Sequence, residues 1–365
     1  MPLIDIIAGA RPNFVKIAPI IQALETHRAA GGPLRYRLVH TGQHYDAALS
    51  QSFFDELGLP DPDINLGAGP GTPAEQTGAI MIGYETLLGQ APSDCCLVVG
   101  DVTSTIACAL TARKAGIPVG HVEGGIRSGD WTMPEENNRL ATDAITNWFF
   151  TTSEHANENL IASGVASERI IFVGNTMIDT LLVNLDRLTS PPFWHSLNLA
   201  PQNYVVLTLH RPPNVDDPRA LSALLDQIAT ATRGLPVIFP VHPRTKRMLA
   251  AIDTLPASIH AVAPQPYLAF NCLVRHAKAV ITDSGGVTEE ATVLHVPCMT
   301  LRTTTERPET VTIGTNEVLG TDPARLIEAL DRLFAGRWKT GAIPPLWDGQ
   351  AGQRIVSALA RLLAP

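Results

Sequence analysis

The stretch IPVGHVEGGIRSGDWTMPEENNR, residues 117–139, opens as a short apolar, β-branched run and then gathers acids and arginines in irregular sequence. The opening run, 117–122, predicts a strand buried in a parallel sheet and places Glu123 at its carboxyl end. Open α/β sheets bind ligands at that edge. Pro134 predicts a first helical turn, so Glu135 and Glu136 fall beside the backbone N–H donors of a helix start. Compensation of the helix dipole would account for these two acids alone. Glu123, Arg127 and Arg139 in the same segment make it a candidate site.

Outward from this stretch, apolar runs alternate with amphipathic ones. Strands are predicted at 3–8, 36–41, 95–99, 148–152 and 170–173, with a helix over 14–27 that carries apolar residues at Phe14, Val15, Ile17, Ala18, Ile20, Ile21 and Leu24. Repeated β-loop-α units of this kind mean a doubly wound parallel sheet. Residues 181–202 are mixed and proline-bearing and read as a linker. A second series follows, with strands at 204–209, 236–241, 279–282 and 296–301. Asp322 and Pro323 predict an N-cap and first turn of a helix to about Phe334, and 350–363 a last amphipathic helix. The fold class is α/β, with two Rossmann-like doubly wound domains.

A chain of 365 residues accommodates two such domains, and 45% hydrophobic with 17% charged residues fits a compact enzyme. A formal charge of −8 argues against nucleic-acid binding. Apolar runs fall short of the roughly 18 residues a membrane helix needs, and the amino terminus reads as a first strand, so a cytoplasmic location is expected. The five cysteines read as reduced core residues, and the eleven histidines show no metal-ligand spacing. No structural or catalytic metal is expected.

Several turns could carry chemistry. GARPNFVK, 9–16, brings Arg11 and Lys16 to a strand-to-helix turn whose N–H groups suit a phosphate. VVGDVTST, 98–105, puts Asp101 after a buried strand, as a ligand-edge acid, an N-cap, or both. TLHRPPN, 208–214, delivers His210 and Arg211 into a proline-stiffened loop, and PVHPRT, 240–245, delivers His242 and Arg244 in the same way. The strongest phosphate signal is ITDSGGVTEE, 281–290: Ser284, Gly285 and Gly286 turn the chain into a helix whose N–H groups face a ligand, and Glu290 stands one turn on, placed to accept from ribose hydroxyls. TTTERPET, 303–310, adds Glu306 and Arg307. GAGPG, 67–71, follows no long buried strand and reads as a loop, and no G-x-x-x-x-G-K-[ST] occurs, so neither NAD nor ATP is inferred and no cofactor is expected.

The ordered set RPNFVKIAP, TGQHYD, GDVTST, HVEGGIRSGDWTMPEE, NR, FVGNT, LHR, PVHPRT, TDSGG with EE, and LRTTTERPET with GTN resembles the non-hydrolysing UDP-N-acetylglucosamine 2-epimerases over nearly the whole chain. The resemblance implies a GT-B fold with a nucleotide sugar in the cleft between two domains. One would be 1–175 plus 350–365, with the catalytic acids and a final helix crossing back; the other, 176–349, would bind UDP. It also implies reversible C2 epimerisation of UDP-GlcNAc to UDP-ManNAc by elimination and re-addition of UDP, a supply of surface-polysaccharide precursor, and a homodimer.

No carbonyl acidifies the C2 hydrogen, so elimination through a 2-acetamidoglucal replaces simple deprotonation. Proton removal and delivery on opposite faces then require at least two acid/base groups. Asp101, Glu123, Glu135 and His210 are the candidates, with Arg11, Lys16, Arg139, Arg211, His242, Ser284, Gly285, Gly286, Glu290 and Arg307 as substrate or UDP contacts. Alternatives are an epimerase of a modified sugar such as a UDP-2,3-diacetamido uronic acid, a GT-B glycosyltransferase, or a non-catalytic nucleotide-sugar-binding protein. Two departures from the family stand out, Gly124 in place of a common Ala and Asn137 in place of an apolar residue, the second bearing on the packing of the Glu135 helix. Gln43 and His44 match the start of a second, activating nucleotide-sugar site found in some relatives. Asp46 and the arginine-free loop GAGPGT predict that this site is weak or absent.

Overall fold

The strands form where the sequence is apolar on both alternating faces, and Cys95–Val99 and Ala279–Thr282 are buried at every position. The computed structural model describes residues 1–43 and 54–364, with the side chains at positions 11, 243 and 244 outside the described set. His44 and Asp46 of the expected activating site therefore lie outside the described residues, as do the side chains of Arg11 and Arg244.

The chain divides into two compact units, one of Met1–Val183 with Pro345–Pro365 and one of Asn184–Pro344. The first unit carries β1 Leu3–Ala8, β2 Arg35–His40, β3 Ile64–Asn65, β4 Cys95–Val99, β5 Val119–Val122, β6 Trp148–Thr151 and β7 Ile170–Phe172. Among the described residues these pair in parallel in the order β3-β2-β1-β4-β5-β6-β7. Alternation fills both faces: Ile4, Ile6 and Ala8 enter one core with Leu97 and Val99, while Ile7 enters the other with Cys96 and Val98. Strand order reverses between β1 and β4, so the turns after β1, β4 and β5 crowd one stretch of the carboxyl edge.

The second unit carries β8 Val205–Thr208, β9 Val237–Pro240, β10 Ile259–Val262, β11 Ala279–Thr282, β12 Cys298–Thr300 and β13 Asn316–Val318, parallel in the order β10-β9-β8-β11-β12-β13. Its switch point lies between β8 and β11, which makes the turns leading to His210 and Ser284 neighbours. As expected, Asp322 caps the helix Pro323–Phe334, its side chain accepting from the Ala324 N–H at 2.9 Å.

The stretch expected to be a linker is partly helical. Thr176–Val183 is a helix of the first unit, with the Thr180 hydroxyl donating to the Val15 carbonyl at 2.6 Å, while Phe193, Trp194 and Leu197 pack on the second unit's core. The returning segment is fixed by Trp347, whose indole N–H donates to the Thr152 carbonyl at 2.9 Å. The last helix, Ala351–Leu362, then lies against the helix Arg11–Ala29 so closely that a Cβ on Gly352 would meet the Pro19 carbonyl oxygen at 2.5 Å. Its amino end is capped by Asp179 Oδ2, which accepts from the Gly352 N–H at 2.8 Å.

Candidate active site

In the first unit, Lys16 and Glu123 meet at the carboxyl edge. The ammonium lies 2.6 Å from Glu123 Oε2, and both residues are more than nine-tenths buried. Glu123 adopts the left-handed φ of 70°, unusual for a residue with a side chain, and its N–H donates to the Phe150 carbonyl at 2.9 Å. Gly100 crosses behind the pair at φ 70°, where a Cβ would stand 3.2 Å from Lys16 Nζ and 3.7 Å from Glu123 Oε2. Lys16 thus faces a carboxylate. The N–H groups of Gly9 and Ala10, expected to face a phosphate, donate instead to Asn13 Oδ1 at 3.1 and 3.0 Å, and Asn13 Nδ2 ties the turn to the Val99 carbonyl at 3.0 Å.

The cap position of the following helix, Thr103–Lys114, is held by Val102, one residue after Asp101. The Asp101 carboxylate pairs with Arg139, and Arg139 also donates to Glu136 Oε2 at 2.9 Å. Burial would raise the Glu136 carboxyl. The N–H groups of Ser128 and Gly129, at 2.9 and 3.1 Å, together with Arg139, outweigh it and hold that carboxyl below its usual range. Arg139 therefore cross-links the Asp101 turn to the helix Pro134–Ile145, while Glu135, one residue from the buried Glu136, is exposed. Asn137 is exposed as well, so no apolar contact is missing at that departure from the family. Gln43 Oε1 accepts from Ser104 N and Oγ at 3.1 and 2.7 Å.

In the second unit, Asp283 is fully buried at the switch point. It accepts from His210 Nδ1 at 2.7 Å, from the Arg211 N–H at 2.9 Å and from Asn214 Nδ2 at 3.0 Å. Burial would raise its carboxyl, but the hydrogen bond and charge of His210 prevail and keep it low. A proton on Nδ1 leaves His210 Nε2 as the nitrogen for proton exchange. The His242 ring lies 6.0 Å from that of His210, and His242 is exposed.

Ser284, Gly285 and Gly286 are half-buried at the start of the helix Gly285–Val293. Glu306 closes on this turn, where a Cβ at 285 would lie 2.6 Å from its Oε1, and it pairs with Arg302 at 2.6 Å and with Arg211 at 3.7 Å. Arg307 is buried on Glu289 at 2.6 Å. Glu290 receives Asn271 Nδ2 at 3.2 Å. Burial raises its carboxyl to about 7, against the hydrogen bonds of Asn271 and Tyr267.

Sequence reasoning missed Asp283, Asn13 and Asn271 as organising groups, along with the buried pair His121 and Asp143. Asp283 could have been found as an acid ending a buried strand beside a glycine turn. The others had no local signal, and Glu136, expected beside the N–H donors of its own helix start, takes those of Ser128 and Gly129. Among the described residues, no group of three or more His, Cys, Asp or Glu is placed to hold a metal ion, and no helix is long and apolar enough to cross a membrane.

Two doubly wound parallel units, with their site-bearing turns at the strand-order switch points, place the chain in the GT-B-like α/β class. The family model for UDP-N-acetylglucosamine 2-epimerase matches residues 27–360, and the chain belongs to that family of epimerases. The UDP-N-acetylglucosamine 2-epimerase of Methanocaldococcus jannaschii is 40% identical over 369 residues, covering 98% of each chain. The UDP-2,3-diacetamido-2,3-dideoxy-D-glucuronate 2-epimerase of Pseudomonas aeruginosa is 35% identical over 360 residues, covering 98% of this chain and 99% of the relative. A crystal structure of the M. jannaschii UDP-GlcNAc 2-epimerase in complex with UDP-GlcNAc and UDP matches with a TM-score of 0.87 at 39% identity, covering 98% of this chain and 99% of that one.

Proposed function

We propose that the chain interconverts UDP-N-acetylglucosamine and UDP-N-acetylmannosamine without hydrolysis. The observation that carries this is the buried Lys16–Glu123 pair on a left-handed turn at the carboxyl edge, in a chain of this family. A carboxylate fixed beside an ammonium is a positioned proton acceptor. In the forward direction the C2–H bond breaks to a carboxylate, its electrons form the C1–C2 double bond, and the C1–O bond to UDP breaks. UDP then adds back to C1 of the 2-acetamidoglucal while a second acid returns a proton to the other face of C2. Glu123, Asp101, Glu135 and His210 are the groups assigned to these two transfers. Glu290 and the turn at Ser284, Gly285 and Gly286 hold the ribose and diphosphate, with Arg211, His242 and Arg307 supporting that end. Lys16 acts as the charge partner of Glu123, Arg139 as the clamp on Asp101, and Arg11 on the phosphates. The protein works as a cytoplasmic homodimer supplying a precursor of surface polysaccharide.

Incubation with UDP-GlcNAc in heavy water, with EDTA and no added nicotinamide, should give UDP-ManNAc carrying deuterium at C2. Free ManNAc with UDP would indicate hydrolysis, and turnover only with an acceptor sugar a transferase. The 35% identity to the P. aeruginosa enzyme makes the diacetamido uronate the second substrate to test. Conversion of that sugar in preference to UDP-GlcNAc would move the assignment to it.

A further inference from the structure

His121 lies inside β5 with no exposed surface, two residues before Glu123. Its Nε2 is 2.8 Å from the Gly100 carbonyl oxygen and its Nδ1 is 2.7 Å from Asp143 Oδ1. A carbonyl only accepts, so Nε2 carries a hydrogen. Asp143 Oδ2 accepts from the Gly125 N–H at 3.0 Å and pairs with Arg127 at 2.7 Å. Burial would raise the Asp143 carboxyl, but the hydrogen bond and charge of His121, with Arg127, outweigh it and hold that carboxyl below its usual range. The ring is thereby held at both of its nitrogens. The charged groups around it are Asp143 and Arg127, with Lys16 and Glu123 beyond Gly100.

The consequence is geometric. Gly100 precedes Asp101, and its own N–H donates to the Val122 carbonyl at 3.0 Å, so His121 closes a second bond between the β4 turn and β5. Asp143, from the helix Pro134–Ile145, grips the far side of the Glu123 turn through Gly125 and Arg127. One pair thereby sets both acid-bearing turns. Gly124 sits against it: a Cβ there would lie 3.4 Å from Asp143 Oδ1 and 3.5 Å from His121 Nδ1.

We propose that His121 and Asp143 are positioning residues, a hydrogen-bonded pair beneath the catalytic edge that fixes the spacing of Asp101 and Glu123 for proton transfer at C2. This rests on the epimerase reading above. Misplacement of reacting groups by about 1 Å costs about 100-fold in rate. His121→Phe should therefore lower kcat by about 100-fold while the Kd for UDP changes less than about twofold. His121→Gln, whose amide can still donate to the Gly100 carbonyl, should recover to within about tenfold of the native kcat.

Histidine-selective ¹⁵N NMR of the native protein, assigned with the Gln variant, should show a slowly exchanging Nε2–H on His121, held by the Gly100 carbonyl, and loss of that protection in Asp143→Asn. A native His121 whose Nε2–H exchanges freely with solvent, equal loss of kcat and UDP affinity in both variants, or full native kcat in His121→Phe would overturn the proposal. If His121→Phe does not fold, the Gln variant and the NMR signature decide it. Failure of the native enzyme to epimerise UDP-GlcNAc would count against the epimerase reading, while the NMR arm still judges the pair.

Discussion

Lys16 and Glu123 offer a test in which stability, separate from turnover, reports on the site. At 2.6 Å and an effective dielectric near 20, Coulomb's law gives about 6 kcal/mol of attraction, set against the cost of taking both charges from water. Removing one partner leaves the other buried and uncompensated, so Lys16→Met and Glu123→Gln should each destabilise the first unit by about 3–5 kcal/mol. Removing both leaves two neutral side chains of similar volume, and the double variant should lose only about 1–2 kcal/mol, a coupling of several kcal/mol. Two units need not unfold together, so urea titration should be read by hydrogen exchange on peptides covering β1 and β5. Singles that add to the double within about 0.5 kcal/mol would refute the reasoning, for the pair would then be two independent groups that happen to touch.

Three further outcomes follow from burial. Glu290 is raised to about 7 chiefly by burial, so the native state binds its proton where the unfolded chain does not, and the second unit's stability should fall as pH rises from about 4.5 through 7. UDP affinity should rise over the same window as the carboxylate forms to receive ribose hydroxyls; Glu290→Gln should abolish the difference from pH 6 to 8, and an unchanged calorimetric profile would argue against that role. Asp179 is raised to about 6, first by burial and then by Asp348, against the N–H groups of Gly352 and Ala351 and the charge of Arg354. Its stabilising contribution is likewise lost as pH climbs through 6, so Asp179→Asn, which keeps an acceptor for Gly352, should raise the unfolding free energy at pH 8 by about 2–3 kcal/mol more than at pH 3.5, below the unfolded value; an equal change at both pH values would contradict this. Gly124→Ala would place a Cβ 2.8 Å from Phe149 Cδ1, costing about 1–3 kcal/mol in thermal unfolding, and Phe149→Leu should restore most of it.

The strands that were legible were those whose apolar runs fill both faces of a sheet. Leu3–Ala8, Cys95–Val99 and Ala279–Thr282 form at their expected bounds. Ile64–Asn65, Ile259–Val262 and Asn316–Val318 lie at or near sheet edges, half-buried and short, and their sequences carry no such run. Cap signals survived into the structure because they are local: Pro134 opens its helix and Asp322 caps its own. The placement of acids was legible where one follows a strand, as Asp101 follows β4 and Glu123 follows β5. It was illegible where a group is recruited from a distant helix. His121 reads as one polar residue in an apolar strand, and Asp143, a turn from the end of a helix, becomes its partner only when β5 and that helix pack together. The turn before Lys16 has the composition of a phosphate site, and in the structure Lys16 pairs with Glu123. Nothing local reveals that Asn13 takes that turn's donors.

The chain leaves its first unit at Val183 and re-enters it at Pro345, with the whole second unit made in between. A ribosome releases these pieces in order. The second unit has all its strands as soon as its own stretch has emerged, whereas the helix Arg11–Ala29 must wait for Ala351–Leu362 before the face around Pro19 is covered. The first unit is therefore the later one to be completed, although most of it is translated first. Its nascent form holds an uncovered apolar helix for the time needed to make some 160 intervening residues, and chaperone dependence, aggregation and damage from a premature stop should all fall on the half of the molecule that carries Glu123.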